Sequence, residues 1–120
     1  MANVKESLDI AMTIDGALGV ALVDYNSGMA LGMTGGNAIN LEVAAAGNTE
    51  VVRAKMKVMQ QLGINEPIED ILITLGTQYH IIRLLRSTPG LFLYLALSKS
   101  QANLAMARHK LSTIETTLTI

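Results

Sequence analysis

Cysteine is absent from this chain of 120 residues. Without a thiol the protein cannot build a disulfide framework, bind a metal through thiolates or use a cysteine nucleophile. A chain without cysteine fits a reducing compartment, so we expect a cytoplasmic protein. The length is typical of one domain, and we expect a single domain over residues 1–120.

Aromatic residues are scarce, and the charges nearly cancel. Phe, Trp and Tyr make up 3% of the residues, while nine Lys and Arg oppose ten Asp and Glu, for a formal net charge of −1. A nucleic-acid-binding protein typically combines a basic surface with aromatic side chains on which bases stack. The sequence has neither feature, so we expect no nucleic-acid partner.

Long apolar runs are also missing. None approaches the roughly 18 residues that a membrane-spanning helix needs, so we expect no transmembrane segment. Hydrophobic residues still make up 50% of the chain and charged ones only 16%. The usual charged share is about a quarter, so this composition indicates apolar surface left over for a partner.

The centre of the sequence predicts three consecutive strands, Ile68–Leu75, Tyr79–Arg86 and Leu91–Ser98. Glycine- and proline-containing turns separate them. Both faces of this stretch are largely apolar, whereas an exposed sheet would alternate apolar and polar residues. A sheet of this kind needs a layer of helix on each side.

The first third of the chain predicts a short helix and a hairpin. Asn3 is a plausible N-cap for the helix and Gly16 a plausible stop. The hairpin has strands at Leu18–Tyr25 and Met29–Met33, joined by the tight turn Asn26-Ser27-Gly28.

Two further helices complete the predicted element order α-β-β-α-β-β-β-α. The long second helix runs from about Ile39 to Leu62, is capped by Asn37 or Asn40, and is closed by Gly63. We expect its apolar stripe to lie on the sheet. The last helix follows Ser98, and its end is expected to fray. The stripe comprises Leu41, Ala44, Ala45, Val52, Met56 and Met59, and the fraying end is Thr116–Ile120.

Candidate catalytic and ligand-binding residues are few. The loop glycines lack the lysine and hydroxyl residue of a phosphate-binding loop, so a nucleotide site is not expected. His80 and His109 have no second imidazole or carboxylate at ligand spacing, so we expect no metal site. Glu69 and Asp70 are adjacent strand residues that point to opposite faces, which argues against their acting as a pair. We therefore expect no catalytic residue, no cofactor and no enzyme activity.

Two residues in predicted elements call for a structural reason. Arg83 lies in a strand on the face of Ile81 and Leu85, where an unpaired charge is costly, so either it pairs with a carboxylate or that face is partly open to a partner. Gly47 lies inside the long helix, where glycine costs about 1 kcal/mol relative to alanine. Either another backbone approaches there, or the helix packs tightly on its own sheet.

Three segments together resemble the bacterial Roadblock/dynein light chain family. They are GALGVALVDYNSGMALG (16–32), EDILITLGTQYHIIRLL (69–85) and GLFLYLALSKSQANLAMARHKL (90–111). The resemblance covers nearly the whole chain. It implies an α+β fold in which a five-stranded antiparallel sheet of order 2-1-5-4-3 lies between one long helix and two terminal helices.

The resemblance also implies a function. Members of the family are non-catalytic homodimers or heterodimers that scaffold or regulate Ras-like small GTPases or serve motor complexes. We therefore expect a homodimer, or a heterodimer with a paralogue, and a Ras-like GTPase partner. Whether GTP hydrolysis is accelerated stays open.

Two surfaces follow from these expectations. The third strand would be a sheet edge that pairs with a second copy, with the long helices side by side, so the expected dimer interface is Ala44, Gly47, Ile71, Leu72 and Ile73. The expected partner-binding residues are Glu50, Arg53, Lys55 and Lys57.

The alternative function is a small-molecule sensing module of profilin-like or PAS-like type, with a dry pocket lined by the seven methionines.

Overall fold

A computed structural model describes residues 2–37 and 39–120 of the chain. These residues form helices and strands in the predicted order, and the strands make one antiparallel sheet of order β2-β1-β5-β4-β3. The α+β class and the expected strand order are confirmed. The elements are α1 (Val4–Ala11), β1 (Ala17–Asp24), β2 (Met29–Gly35), α2 (Leu41–Gln61), β3 (Asp70–Thr74), β4 (Gln78–Leu84), β5 (Leu91–Ser98) and α3 (Leu104–Thr117).

Helices cover both faces of the sheet, as the apolar strands require. Leu8 of α1 and Leu111 of α3 belong to the core on one face. Val52 of α2 packs with Phe92 in the core on the other. The central strand β5 is buried throughout 91–97. Because helices cover both its faces, its sequence is continuously apolar instead of alternating.

The N-cap of α1 follows the prediction, but its end does not. The Asn3 side chain accepts a hydrogen bond from the Glu6 N–H, and the Glu6 side chain accepts one from the Asn3 N–H, which forms a capping box. The prediction that Gly16 ends the helix is wrong, because α1 stops at Ala11. Gly16 instead adopts a φ of 84° in the turn that enters β1.

The two ends of α2 are close to their predicted positions. Asn40 is the N-cap, and its side chain accepts from the Val43 N–H. At the other end Gly63 has a φ of 72°, and the N–H groups of Gly63 and Ile64 donate to the carbonyls of Gln60 and Met59. This pair of bonds is a Schellman motif, which explains why Gly63 closes the helix.

The chain end does not fray as expected. Helix α3 continues through Thr117, and Leu118 forms a parallel bridge with Ala2. The Ala2 N–H donates to the Thr117 carbonyl at 2.8 Å, and the Thr119 N–H donates to the Ala2 carbonyl at 2.7 Å. Long-range backbone pairing thus outweighs the weak helix propensity of the β-branched tail.

Several strand boundaries differ from the predictions. Strand β3, predicted at Ile68–Leu75, spans only Asp70–Thr74, and tertiary contacts move the ends of β2 and β4. Strand β2 extends to Gly35, which pairs with Gly19 of β1, so Thr34 and Gly35 are not loop residues. Strand β4 ends at Leu84 instead of Arg86, because the Arg86 N–H donates to the Glu115 side chain of α3.

Candidate interaction surface

Strand β3 is one outer strand of the sheet and β2 is the other. The two edges differ in regularity. The ladder between β2 and β1 contains a register shift between Leu22 and Val23, whereas β3 pairs with β4 in unbroken register from Asp70 to Thr74. A bulge disrupts an edge for further pairing, while a regular apolar edge favours it. Strand β3 is therefore the better template for a sixth strand.

The side chains of β3 alternate between the two faces of the sheet. Ile71 and Ile73 pack on the α2 side, whereas Leu72 packs on the side of α1 and α3. All three are only half-buried, although their neighbours Ile81 and Ile82 on β4 are fully buried. The edge strand thus leaves apolar surface incompletely covered on both faces.

Helix α2 does not lie equally close to all strands of its sheet face. It approaches β1 and β2 most closely, and Ala46 and Thr49 are the residues nearest to Gly28 at the start of β2. At 3.6 residues per turn, Val51 and Val58 are on the opposite side of the helix from these two residues. They therefore face away from β2, toward the β4 and β3 side of the sheet.

Because α2 lies closest to β1 and β2, apolar surface remains exposed on its other flank and on β3; we call this surface the shelf. It consists of the flank of α2 with Val51, Val58 and Leu62, together with the half-buried face of β3 with Ile71 and Ile73. The exposed fractions of Val51, Val58 and Leu62 are 38%, 42% and 66%. Large exposed apolar side chains along one helix flank mark a surface that is suited to a protein partner.

Ion pairs anchor the start of β3. Arg86 contacts Glu69 at 3.2 Å, and Arg108 of α3 contacts Asp70 at 2.9 Å. Glu69 and Asp70 thus bind different partners, as their opposite directions on the strand predict. Both pairs are at least partly solvent-exposed, so each contributes on the order of 0–1 kcal/mol to stability.

Arg83 pairs with a carboxylate, which was one of the two expected solutions. Its Nε lies 3.0 Å from Oε1 of Glu115 on α3, and Glu115 is only 7% exposed. The other carboxylate oxygen accepts from the backbone N–H groups of Arg86 and Ser87. Sequence reasoning missed Glu115; the available signal was its position, since it follows Leu111 by four residues on the buried side of α3.

His80 is hydrogen-bonded through both ring nitrogens. Its Nδ1 lies 3.1 Å from the hydroxyl oxygen of Tyr94, and its Nε2 lies 2.8 Å from Oε1 of Gln78. Burial lowers the pKa of His80 and raises the pKa of Tyr94 to about 12. The other histidine, His109, is exposed on α3.

Neither a metal site nor a membrane-spanning helix is found in the part of the chain that the structure describes. Over residues 2–37 and 39–120, His, Asp and Glu side chains do not come together in any group of three that could hold a metal ion. Within the same ranges, every helix is too short or too polar to cross a bilayer.

Comparison with known proteins reveals similarity at the level of structure. No protein-family model and no curated protein matches the sequence. A Roadblock/LC7 domain from Streptomyces avermitilis superimposes with a TM-score of 0.82 at 9% identity, covering 96% of this chain and 93% of that one. MglB from Myxococcus xanthus gives 0.79 at 16% identity, covering 94% and 91%. The gliding protein MglB from Thermus thermophilus gives 0.77 at 15% identity, covering 92% and 82%.

The chain has the Roadblock fold. At these identities the likeness shows the fold alone, so the roles of individual residues must come from the structure of this chain. The observed architecture agrees with the one that the family resemblance implies. Both have the same strand order, the long helix on one face of the sheet and the terminal helices on the other.

The structure separates the two small residues of the expected dimer interface. Ala44 is half-buried and packs on the core beneath α2. Gly47 is exposed, and a Cβ built on it would meet no atom within 4 Å. Tight packing on its own sheet therefore does not explain Gly47.

The four expected partner-binding residues do not share one face of α2. Glu50, Arg53 and Lys57 follow at intervals of three and four, so they lie on one face of the helix, and all are exposed. Lys55 lies on the flank of Val51 and Val58, beside the shelf. The expected partner surface thus divides into an outer group of three residues and one shelf residue.

The methionines do not gather around an enclosed pocket. Met29, Met33 and Met106 are 67%, 42% and 51% exposed. A groove of about 540 Å³ lies along β2 and contains Met33 among residues of α1 and β2. The arrangement gives no support to a dry sensing pocket lined by all seven residues.

Proposed function

We propose that this chain is a non-catalytic, homodimeric scaffold or regulator of a Ras-like small GTPase. The observation that carries the proposal is the regular unpaired edge of β3 beside the shelf. The fold supports it, since the family that the sequence resembles is built for such assemblies. The proposal has two parts, a dimer interface and a partner surface, and they can be tested separately.

The dimer forms by antiparallel pairing of β3 with its copy. Pairing centred on Leu72 gives the longest overlap for a strand of five residues. It places Ile71 of one copy beside Ile73 of the other and Asp70 beside Thr74. No like charges face each other in this register, so the strand is compatible with itself.

The shelf supplies the second half of the interface. Joining the two edges brings the α2 flank of each copy over the incompletely covered sheet face near the symmetry axis. Gly47 and Val51 would then approach the other copy, and the missing side chain of Gly47 would permit close backbones. Burial of apolar surface stabilises the assembly by about 25 cal/mol per Å² before the cost of association is subtracted.

The GTPase binds on the outer surface of the paired α2 helices. Glu50, Arg53 and Lys57 are exposed on one face of α2, and none of them forms an ion pair within the described residues. Charges at such a surface steer encounter and orientation.

Light scattering and a binding titration test the two parts. We expect a dimer at micromolar concentration, and we expect Ile73→Lys to shift it toward monomer because it places a charge on the shelf. Leu75→Lys, at an exposed position just beyond the strand, is the matched control. If the unmodified protein is monomeric, the homodimer is refuted. If adding a paralogue then produces a dimer, the second chain is the paralogue.

Purified small GTPases from the same organism, loaded with GTP or GDP, test the partner. We expect one of them to bind the dimer and to bind Ile73→Lys more weakly, because the outer surface of the paired α2 helices requires two copies of the chain. A dimer that binds none of them would contradict the partner assignment while leaving the dimer intact.

A further inference from the structure

His80 lies on β4 directly opposite Ile73 of β3, on the sheet face that carries the shelf. The imidazole is half-buried. Its ring meets the Tyr94 ring edge to face, with centroids 5.4 Å apart. Both ring nitrogens are occupied, one by Tyr94 and the other by Gln78.

The partners of His80 assign its tautomer. Oε1 of Gln78 can only accept, so Nε2 of His80 carries the hydrogen. Nδ1 then accepts from the hydroxyl of Tyr94, whose raised pKa of about 12 keeps it protonated. A second proton on the imidazole must bind at Nδ1 and would displace the hydrogen of Tyr94. Since Tyr94 is 1% exposed, that hydroxyl would lose its donor bond inside the core.

No charged group in the described part of the chain compensates a protonated His80. On the same face, β3 presents Ile73, and β5 presents Ala96 and Tyr94. From α2, apolar residues such as Val52 enter this core, and the buried polar side chain of that helix is the uncharged Thr49. The charged residue of α2 beside the shelf is Lys55, which is exposed and, being a cation, cannot compensate a second positive charge. Tyr94 is the titratable group that contacts the imidazole, and burial is the cause that lowers the pKa of His80.

We propose that His80 makes dimerisation through the shelf dependent on pH, with the neutral imidazole favouring the dimer. This inference rests on the dimer proposed above. Closing the shelf removes water from a ring that is half-buried in one copy, and loss of water penalises the charged form more than the neutral form.

The direction of the effect follows from linkage. The ordinary pKa of histidine is 6.5, and burial lowers it in the folded chain. Dimerisation would lower it further. The stabilisation of the dimer is therefore fully present above the pKa of the folded monomer, which lies below 6.5, and is lost as the pH falls through that value toward the still lower pKa of the dimer. Each dimer contains two such rings, so two protons oppose association.

The test is the dimer dissociation constant, measured by analytical ultracentrifugation at about pH 7.5 and about pH 5. We expect it to rise at least about tenfold at the lower pH. His80→Gln should remove most of this response. His109→Gln changes the exposed histidine of α3 and should leave the pH response unchanged. Comparing the two variants shows whether the response comes from His80 or from other titrating groups, such as carboxylates.

NMR titration provides a second measurement that does not depend on a variant that folds. The pKa of the His80 imidazole should be lower in concentrated dimer than in dilute monomer. Equal pKa values, or a pH response that survives in His80→Gln, would overturn the role of His80 while leaving the proposed dimer in place. A protein that is monomeric at both pH values would overturn the dimer and this inference together.

Discussion

Glu115 shows how one buried side chain organises several parts of the molecule. Its two carboxylate oxygens accept from Arg83 and from two backbone N–H groups at the end of β4. A buried carboxylate is tolerated only when it is paired and hydrogen-bonded. Glu115 therefore attaches α3 to β4 and to the turn before β5.

Removing either partner of the pair should have unequal consequences. Glu115→Ala leaves Arg83 and two amide groups without an acceptor, and we expect the free energy of unfolding to fall by about 3–5 kcal/mol. Arg83→Met leaves Glu115 with both backbone donors, so the loss should be about 1–3 kcal/mol. Urea denaturation measures both. Equal losses would show that the backbone contacts contribute nothing.

At the scale of elements, α2 is the helix whose position decides what is exposed. It packs most closely over β1 and β2, so one flank of α2 and the half-buried face of β3 remain available. Gly47 lies on the exposed part of this helix with open space around its Cα. A glycine at an unconstrained helix position is unfavourable, and a nearby second backbone would explain it.

Substitutions at Gly47 test that explanation. In dilute monomer, Gly47→Ala should raise the free energy of unfolding by up to about 1 kcal/mol, because alanine favours helix. Gly47→Leu should weaken the dimer while circular dichroism shows unchanged helix content. If Gly47→Leu dimerises as tightly as the unmodified protein, no backbone approaches Gly47 and the interface lies elsewhere.

At the scale of the whole molecule, the two sheet faces have different roles. The face with α1 and α3 is covered by two helices, whereas the α2 face carries the shelf and the outer charged group. In the proposed dimer the α2 face becomes one continuous platform. Partner binding should therefore depend on charges of α2 and not on those of the terminal helices.

Charge reversal tests this difference. Arg53→Glu combined with Lys57→Glu should slow association with the GTPase by about tenfold at low salt and reduce its salt dependence. Lys5→Glu combined with Lys110→Glu makes the same change of charge on α1 and α3 and should have little effect. Stopped-flow association rates across a salt series provide the measurement. Equal rates for both double variants would mean that the platform charges do not steer the partner.

Local signals predicted most of the elements. Asn3 and Asn40 cap helices through their own side chains, and Gly63 ends α2 through a positive φ, so neighbouring residues are sufficient to decide these positions. The continuous apolar sequence of β5 predicted a strand covered on both faces. The helix ends depend on interactions within a few residues. The burial of β5 follows from its apolar side chains, which must be kept away from water on both faces.

Tertiary contacts decided the rest. The end of β4 depends on Glu115, the ordered C-terminus depends on Ala2, and both contacts join residues far apart in the sequence. The same is true of the shelf, because the periodicity of α2 identifies its buried stripe but not which strands it covers. The amino-acid pattern specifies what each element must bury, while the relative position of packed elements specifies what remains exposed for a partner.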